Sequence, residues 1–234
     1  RYDKLKYKNK RVNLEKIGWV KAAEALPAGK YSNPRVKHDG LNWYLTVGIE
    51  VKRSLLTIPS TEPIGVDLGV KELAVISTGE VIKNINKAKE VRRSHKKLKR
   101  LQRQASKHYE KLKKNGGEAR YGKTGNLLKL EKQILQIHHR LRNIRTNHIH
   151  QVTTKLVKTN PAYIVIEDLN VFGMIKNKHL ARAVQEQKLY EFKRQMEYKC
   201  QWYGVKLITA DRFYPSSKLC SQCGNINKES KLSD

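Results

Sequence analysis

The sequence predicts an α/β protein in which a mixed sheet is interrupted by a basic helical hairpin and preceded by a small antiparallel sheet or half-barrel. Three observations predict it. Two β-branched runs, Ile64–Leu68 and Tyr163–Leu169, each deliver an acid near their ends. Between them the apolar period changes from that of a strand to that of a helix over about 86–158. Ahead of them, residues 1–62 are punctuated by turn residues at short spacing.

Within 1–62, Gly18-Trp19-Val20-Lys21-Ala22 reads as a strand followed by the turn Pro27-Ala28-Gly29. Arg35-Val36-Lys37 is joined to Leu41–Val47 through His38-Asp39-Gly40, and Asp-Gly between two strand patterns signals a hairpin. The extended pattern continues from Ile49 to Ile58 and stops at Pro59. Lysine and arginine are expected on the outer face of this sheet.

Ile64-Gly65-Val66-Asp67-Leu68-Gly69 reads as a buried strand carrying a carboxylate. Alternation puts Ile64, Val66 and Leu68 on one face and Gly65, Asp67 and Gly69 on the other. Asp67 then stands between two residues without side chains, leaving room for a metal ion or a phosphate. A bound cation is a common reason to keep a buried carboxylate. Glu72–Ser77, a Thr78-Gly79 turn and Glu80–Lys83 complete a three-stranded meander.

From about Asn86 to Lys114, Val91, Leu98, Leu101, Ala105 and Leu112 recur at threes and fours. From about Asn126 to Lys158, Leu127, Leu130, Ile134, Ile137, Leu141, Ile144, His148 and Val152 do the same. Two narrow seams joined by a glycine-rich tip predict an antiparallel helical hairpin. Its other faces carry Arg92, Arg93, Lys96, Lys97, Lys99, Arg100, Arg103, Lys107, Arg140, Arg142 and Arg145, with Glu90, Glu110 and Glu131 nearly alone among them. A solvated face normally mixes signs, so this one points to phosphate contact. The hairpin's histidines lack metal-site spacing and read as seam fillers or phosphate contacts.

The chain returns to the sheet at Tyr163-Ile164-Val165-Ile166-Glu167-Asp168-Leu169. A lone acid at a strand end is commonly a cap or a surface group. Two such strands in a strongly basic chain can instead set carboxylates side by side, where like charges need a divalent cation between them. A basic loop including Lys176 and Lys178 leads to a helix from about Ala181 to Tyr203, with Leu189, Phe192, Met196, Cys200 or Lys199, and Tyr203 on its inner stripe. On that stripe Cys200 is a small buried side chain. Gly204 ends the helix, and Val205–Thr209 is a strand parallel to its predecessor through a helical crossover.

Cys220-Ser221-Gln222-Cys223-Gly224 forms half of a zinc ribbon, whose closed site needs four ligands. A redox pair is the rival, but no helix pattern follows it.

The 234 residues carry 49 Lys and Arg against 21 Asp and Glu, a formal net charge of +28, and such a chain seeks a polyanion. A membrane surface is the rival partner, yet no apolar run approaches the roughly 20 residues needed to span one. Three cysteines are too few for a disulfide scaffold, which favours a reducing interior. A start at Arg1 and a stop at Asp234 within a polar stretch suggest a piece of something longer.

Taken together, Gly65–Gly69, Ile166-Glu167-Asp168-Leu169-Asn170 with Gly173-Met174, Phe192–Gly204, and Phe213–Lys218 running into Cys220 and Cys223 resemble the transposon-encoded TnpB nucleases, relatives of the compact type V CRISPR effectors. The resemblance implies an RNase H-like (RuvC) nuclease over 63–211 with the hairpin inserted at about 86–158, part of a wedge-like β-barrel over 1–62, and a partial zinc ribbon over 212–234. It implies Asp67 and Glu167 as catalytic ligands of Mg²⁺ or Mn²⁺, with the third acid and the second Cys-x-x-Cys beyond the chain end. Cys220 and Cys223 would be two of four Zn²⁺ ligands, and Ser216, Ser217 and Lys218 would join the basic hairpin in binding nucleic acid. The implied partners are a guide RNA and target double-stranded DNA, with a monomer on its RNA in a prokaryotic cytoplasm. Rival readings are a nuclease-inactive RNA-guided regulator, a guide-free RuvC-like nuclease, and an actin-like ATPase, whose second phosphate loop is not found.

Overall fold

The computed structural model describes residues 5–51, 62–114, 122–212, 214, 219 and 225. They fall into two compact units, Arg1–Ser54 with Leu98–His138, and Leu55–Lys97 with His139–Asp234.

The first unit holds two antiparallel sheets. Strands β1 (Tyr7–Lys8), β2 (Arg11–Leu14) and β3 (Gly18–Lys21) form one, and β4 (Tyr31–His38) pairs with β5 (Trp43–Ile49) in the other, with a bulge between Ser32 and Arg35. The Asp-Gly turn is as expected. Asp39 Oδ1 accepts the N–H groups of Leu41 and Asn42 at 3.0 and 2.9 Å, and Gly40 adopts φ +92°. A Cβ at Gly40 would lie 2.7 Å from Leu135 Cδ2, the movable end of a side chain, so the positive φ is what favours glycine there. Among the described residues these sheets do not close into a barrel, and the predicted extension to Ile58 lies largely outside them.

The second unit is built on a five-stranded mixed sheet of order β10-β9-β6-β7-β8. Its strands are β6 (Ile64–Leu68), β7 (Ala74–Ile76), β8 (Val81–Ile82), β9 (Tyr163–Glu167) and β10 (Lys206–Ala210). The meander β6-β7-β8 is antiparallel, whereas β9 runs parallel to both β6 and β10. Ile64, Val66, Ile164 and Ile166 form a core with Ile149, Val152, Leu156 and Val157 of α2 (Gly125–Lys158) and Leu189, Phe192, Met196 and Cys200 of α5 (Leu189–Tyr203). The second half of α2 thus continues the hairpin seam into the sheet core.

Helices α1 (Lys89–Lys114) and α2 contribute to both units. Tyr109 with Glu131, and Arg145 Nη2 with the His95 ring at 2.9 Å, mark their antiparallel pairing. The predicted seam residues Val91, Leu98, Leu101, Ala105, Leu127, Ile137 and Leu141 are buried.

Three expectations need correction. Asp67 is exposed, because its face of β6 is not covered. The basic loop after Asn170 contains α3 (Val171–Lys176), whose start is capped by Asn170 Oδ1 accepting the Gly173 N–H at 2.9 Å. The single helix expected over 181–203 is two, α4 (Ala181–Gln187) and α5, separated by Lys188 at φ 56°, ψ 42°. Neither glycine nor proline marks that break. It is held from outside, by Lys188 Nζ donating to Thr146 Oγ1 at 2.6 Å and by the buried Gln187 amide, which donates to the Gly69, Val70 and Glu72 carbonyls at 3.2–3.3 Å.

Candidate nuclease site on the open sheet face

The register of the central strands brings the two predicted acids together. Ile64, Gly65 and Val66 pair with Ile164, Val165 and Ile166, so the next residues in line are Asp67 and Glu167. Alternation turns Ile64, Val66, Ile164 and Ile166 to the core and both acids to the open face, into a cleft of about 660 Å³. Glu167 also pairs with Ala210 at the end of β10, so three parallel strands finish at this spot.

Partial desolvation by the cleft walls raises the pKa of Asp67, although its side chain remains open to solvent. Desolvation raises that of Glu167 too, and the charge of Asp67 raises it further. Two neighbouring carboxylates with raised pKa values, and with no ion pair to either among the described residues, form a hard-oxygen donor pair suited to a divalent cation. Among the described residues no third His, Cys, Asp or Glu completes a ligand cluster. Ser77 fixes the strand beneath Asp67, its Oγ accepting the Gly65 N–H at 3.0 Å and its N–H donating to the Gly65 carbonyl at 2.9 Å. Of the two flanking glycines, Gly69 has a local cause. A Cβ at Gly69 would lie 3.3 Å from the Glu72 carbonyl, in the turn closed by Gly69 N–H to Leu73 at 3.2 Å, while one at Gly65 would make ordinary contact with Ser77.

Asp168, one residue beyond Glu167, has a different environment. Its Oδ1 accepts from Lys193 Nζ at 2.8 Å and its Oδ2 from Arg212 Nη2 at 2.6 Å, and the two hydrogen bonds hold its carboxyl below the usual range. Asp211 and Arg212 also line the cleft, and sequence reasoning passed over both. Their signal was present: a strand parallel to β9 that ends beside Glu167 must deliver its next residues to the same place.

The predicted phosphate contacts divide. Arg92, Arg93, Lys96, Lys97, Arg100, Arg103 and Lys107 on α1, and Lys176 and Lys178 around the end of α3, are exposed. Arg93 and Lys97 line a shallow groove with Arg140, which pairs with Glu90. Arg142 is exposed beside the His139 ring. Arg145 is not a surface cation: its Nε donates to Asn86 Oδ1 at 2.7 Å and its Nη2 lies 3.4 Å from Glu186. Only 15% of its side chain is exposed, so it braces the hairpin base against α4 instead of offering charge to solvent. Cys220, Cys223, Ser216, Ser217 and Lys218 lie outside the described residues. Cys200 is buried with its thiol pushed up to about 11, an inert core residue as expected.

Residues 46–178 match the OrfB_IS605 family, described as "Probable transposase", and residues 190–233 match the Cas12f1-like TNB domain. The chain belongs to the OrfB_IS605 family. Among relatives of this OrfB_IS605 protein, a Streptomyces pristinaespiralis protein named "Putative RNA-guided DNA endonuclease" is 37% identical over 71% of this chain and 38% of its own length. "Putative RNA-guided DNA endonuclease InsQ" of Escherichia coli strain K12 is 33% identical over 98% of this chain and 57% of its own. The "CRISPR-associated endodeoxyribonuclease Cas12f1" of Sulfoacidibacillus thermotolerans is 26% identical over 88% and 48%. The chain therefore spans about half the length of the curated relatives it matches, or less. A Cas12f1 chain solved by cryo-EM in a Cas12f1–sgRNA–target DNA complex shares the fold at TM-score 0.52 and 19% identity, over 87% of this chain and 40% of that one. Among the described residues no helix is long and apolar enough to cross a membrane.

Proposed function

We propose that this chain carries the catalytic part of an RNA-guided DNA endonuclease of the TnpB type, with a RuvC-like, RNase H-like sheet as its nuclease core. The observation that carries the reading is the register placing Asp67 beside Glu167 on an open sheet face, in a protein of net charge +28. The names of the relatives point the same way.

In this reading Asp67 and Glu167 hold Mg²⁺ or Mn²⁺, and their two carboxylates fit a hard cation. A divalent ion held by these two carboxylates would supply Lewis-acid activation of water and charge stabilisation for phosphodiester hydrolysis. The chain's own residues supply the rest. The buried face of the sheet fixes both strands, Ser77 and Gln187 hold the backbone on either side of Asp67, and the exposed cations of α1 meet phosphates of a guide RNA and its DNA target. Cys220 and Cys223 would contribute to a Zn²⁺ site and Ser216, Ser217 and Lys218 to nucleic-acid contact, in a protein acting as a monomer on its RNA in a prokaryotic cytoplasm.

The test is cleavage of a plasmid matching the RNA that co-purifies with the full-length protein. Asp67→Ala and Glu167→Gln are each expected to lower cleavage on the order of a thousandfold while RNA and DNA binding persist. Undiminished cutting by either variant would remove the site assignment.

A further inference from the structure

Arg212 is an odd neighbour for a metal site. A guanidinium at the edge of a cleft holding two carboxylates is drawn to pair with them, and would then compete with the cation they are meant to hold. In the structure its partner is instead Asp168. Arg212 Nη2 donates to Asp168 Oδ2 at 2.6 Å, and its Nε donates to the Asp168 backbone carbonyl at 3.2 Å. The other carboxylate oxygen is occupied by Lys193 Nζ at 2.8 Å, from the first turns of α5. Both oxygens of Asp168 are thus committed to cations.

The guanidinium is not exhausted. Among the described residues, two of its five N–H groups are used, both by Asp168, on a side chain that is 46% exposed and lines the same cleft as Asp67 and Glu167. A half-exposed planar fork in the same cleft as two carboxylates that have no ion pair among the described residues matches the non-bridging oxygens of a phosphodiester.

We propose that Asp168 is a positioning residue, which by pairing with Arg212 and Lys193 keeps the Arg212 guanidinium away from the metal-binding carboxylates and directed to a phosphate of the bound strand. The inference rests on the nuclease reading of Asp67 and Glu167. It separates two adjacent acids by role: Glu167 is a ligand, and Asp168 acts through Arg212.

The test pairs a binding measurement with a cleavage measurement on the full-length protein. Mn²⁺ affinity, read by electron paramagnetic resonance after removal of nucleic acid, is expected to fall at least about tenfold in Glu167→Gln, to fall less in Asp168→Asn, where the released guanidinium competes for the carboxylates, and to recover when Arg212→Ala is added to Asp168→Asn. Single-turnover cleavage of a guide-matched plasmid is expected to drop about tenfold to a hundredfold in Asp168→Asn and in Arg212→Ala, with the double variant no slower than Arg212→Ala alone. Arg212→Lys keeps the charge without the fork and is expected to recover little. A loss of Mn²⁺ affinity in Asp168→Asn matching that of Glu167→Gln overturns the proposal, as do multiplicative losses in the double variant or full cleavage by Arg212→Ala. If Asp168→Asn does not fold, the Arg212 variants decide: unchanged Mn²⁺ affinity with lost cleavage supports the assignment, and retained cleavage overturns it. Failure of the underlying nuclease reading looks different, because then Glu167→Gln itself keeps both cleavage and Mn²⁺ affinity.

Discussion

On one face of the five-stranded sheet, Ile164 and Ile166 are sealed beneath α2 and α5, while on the other, a single residue along the same strand, Glu167 stands in an open cleft beside Asp67. The closed face tolerates polar groups only when they are saturated. Lys199, 5% exposed, donates to the His150 carbonyl, to Thr153 and Thr154 at 2.6–2.9 Å and to Gln195 at 3.2 Å. The open face does the reverse, keeping two carboxylates that have no such partners among the described residues and whose pKa values are raised by their surroundings. One face is organised for stability and the other stores an unmet need for positive charge. A strand with period 2 lets the same five residues, Tyr163–Glu167, do both.

The contrast can be tested from the closed face outward. Phe192→Ala empties a fully buried position and is expected to cost about 3–5 kcal/mol of unfolding free energy, read by denaturant titration. A loss under about 1 kcal/mol would mean that the core does not rest on α5. Glu191→Gln probes the rim. Hydrogen bonds from Arg194 hold Glu191 down to about 2, so its contribution is complete above pH 4.5 and is lost as pH falls from there toward 2. With Arg194 half exposed, the variant is expected to lose about 1–2 kcal/mol at pH 7 and to converge with the parent in strong acid. The smallest effect has the opposite sign. Glu167→Gln removes a carboxylate whose ionised form is disfavoured, so without divalent cation it is expected to be slightly more stable than the parent at neutral pH, a gain that disappears as pH falls through the raised Glu167 value. Excess Mg²⁺ should then raise the melting temperature of the parent and leave that of the variant unchanged.

Much of this was legible because it follows from period alone. Alternation in Ile64–Leu68 and Tyr163–Glu167 assigned the faces correctly, and the shift to threes and fours located the hairpin within a few residues of its observed ends. What the sequence did not disclose depends on contacts between distant segments. Nothing local announces that Lys188 takes a left-handed conformation, since its hold comes from Thr146 and from the Gln187 grip on the turn after Asp67. Arg145 reads as one more surface cation until Glu186 and Asn86 are seen to enclose it. Asp67 reads as buried because its neighbours are apolar, yet coverage of a sheet face is decided by where helices land.

The parallel pairing of Ile64 with Ile164 has a further consequence for how the protein forms. Strands so distant in sequence meet only after the intervening chain has closed a loop, and that entropic cost rises with the length left flexible. A hairpin of two helices shortens the effective loop, because folding back on itself returns β9 toward the neighbourhood of β8 before any ladder bond exists. Local helix formation in α1 and α2 is therefore expected to ease sheet assembly, and glycines placed in the middle of α1 should then slow refolding more than they accelerate unfolding, as stopped-flow chevrons would read.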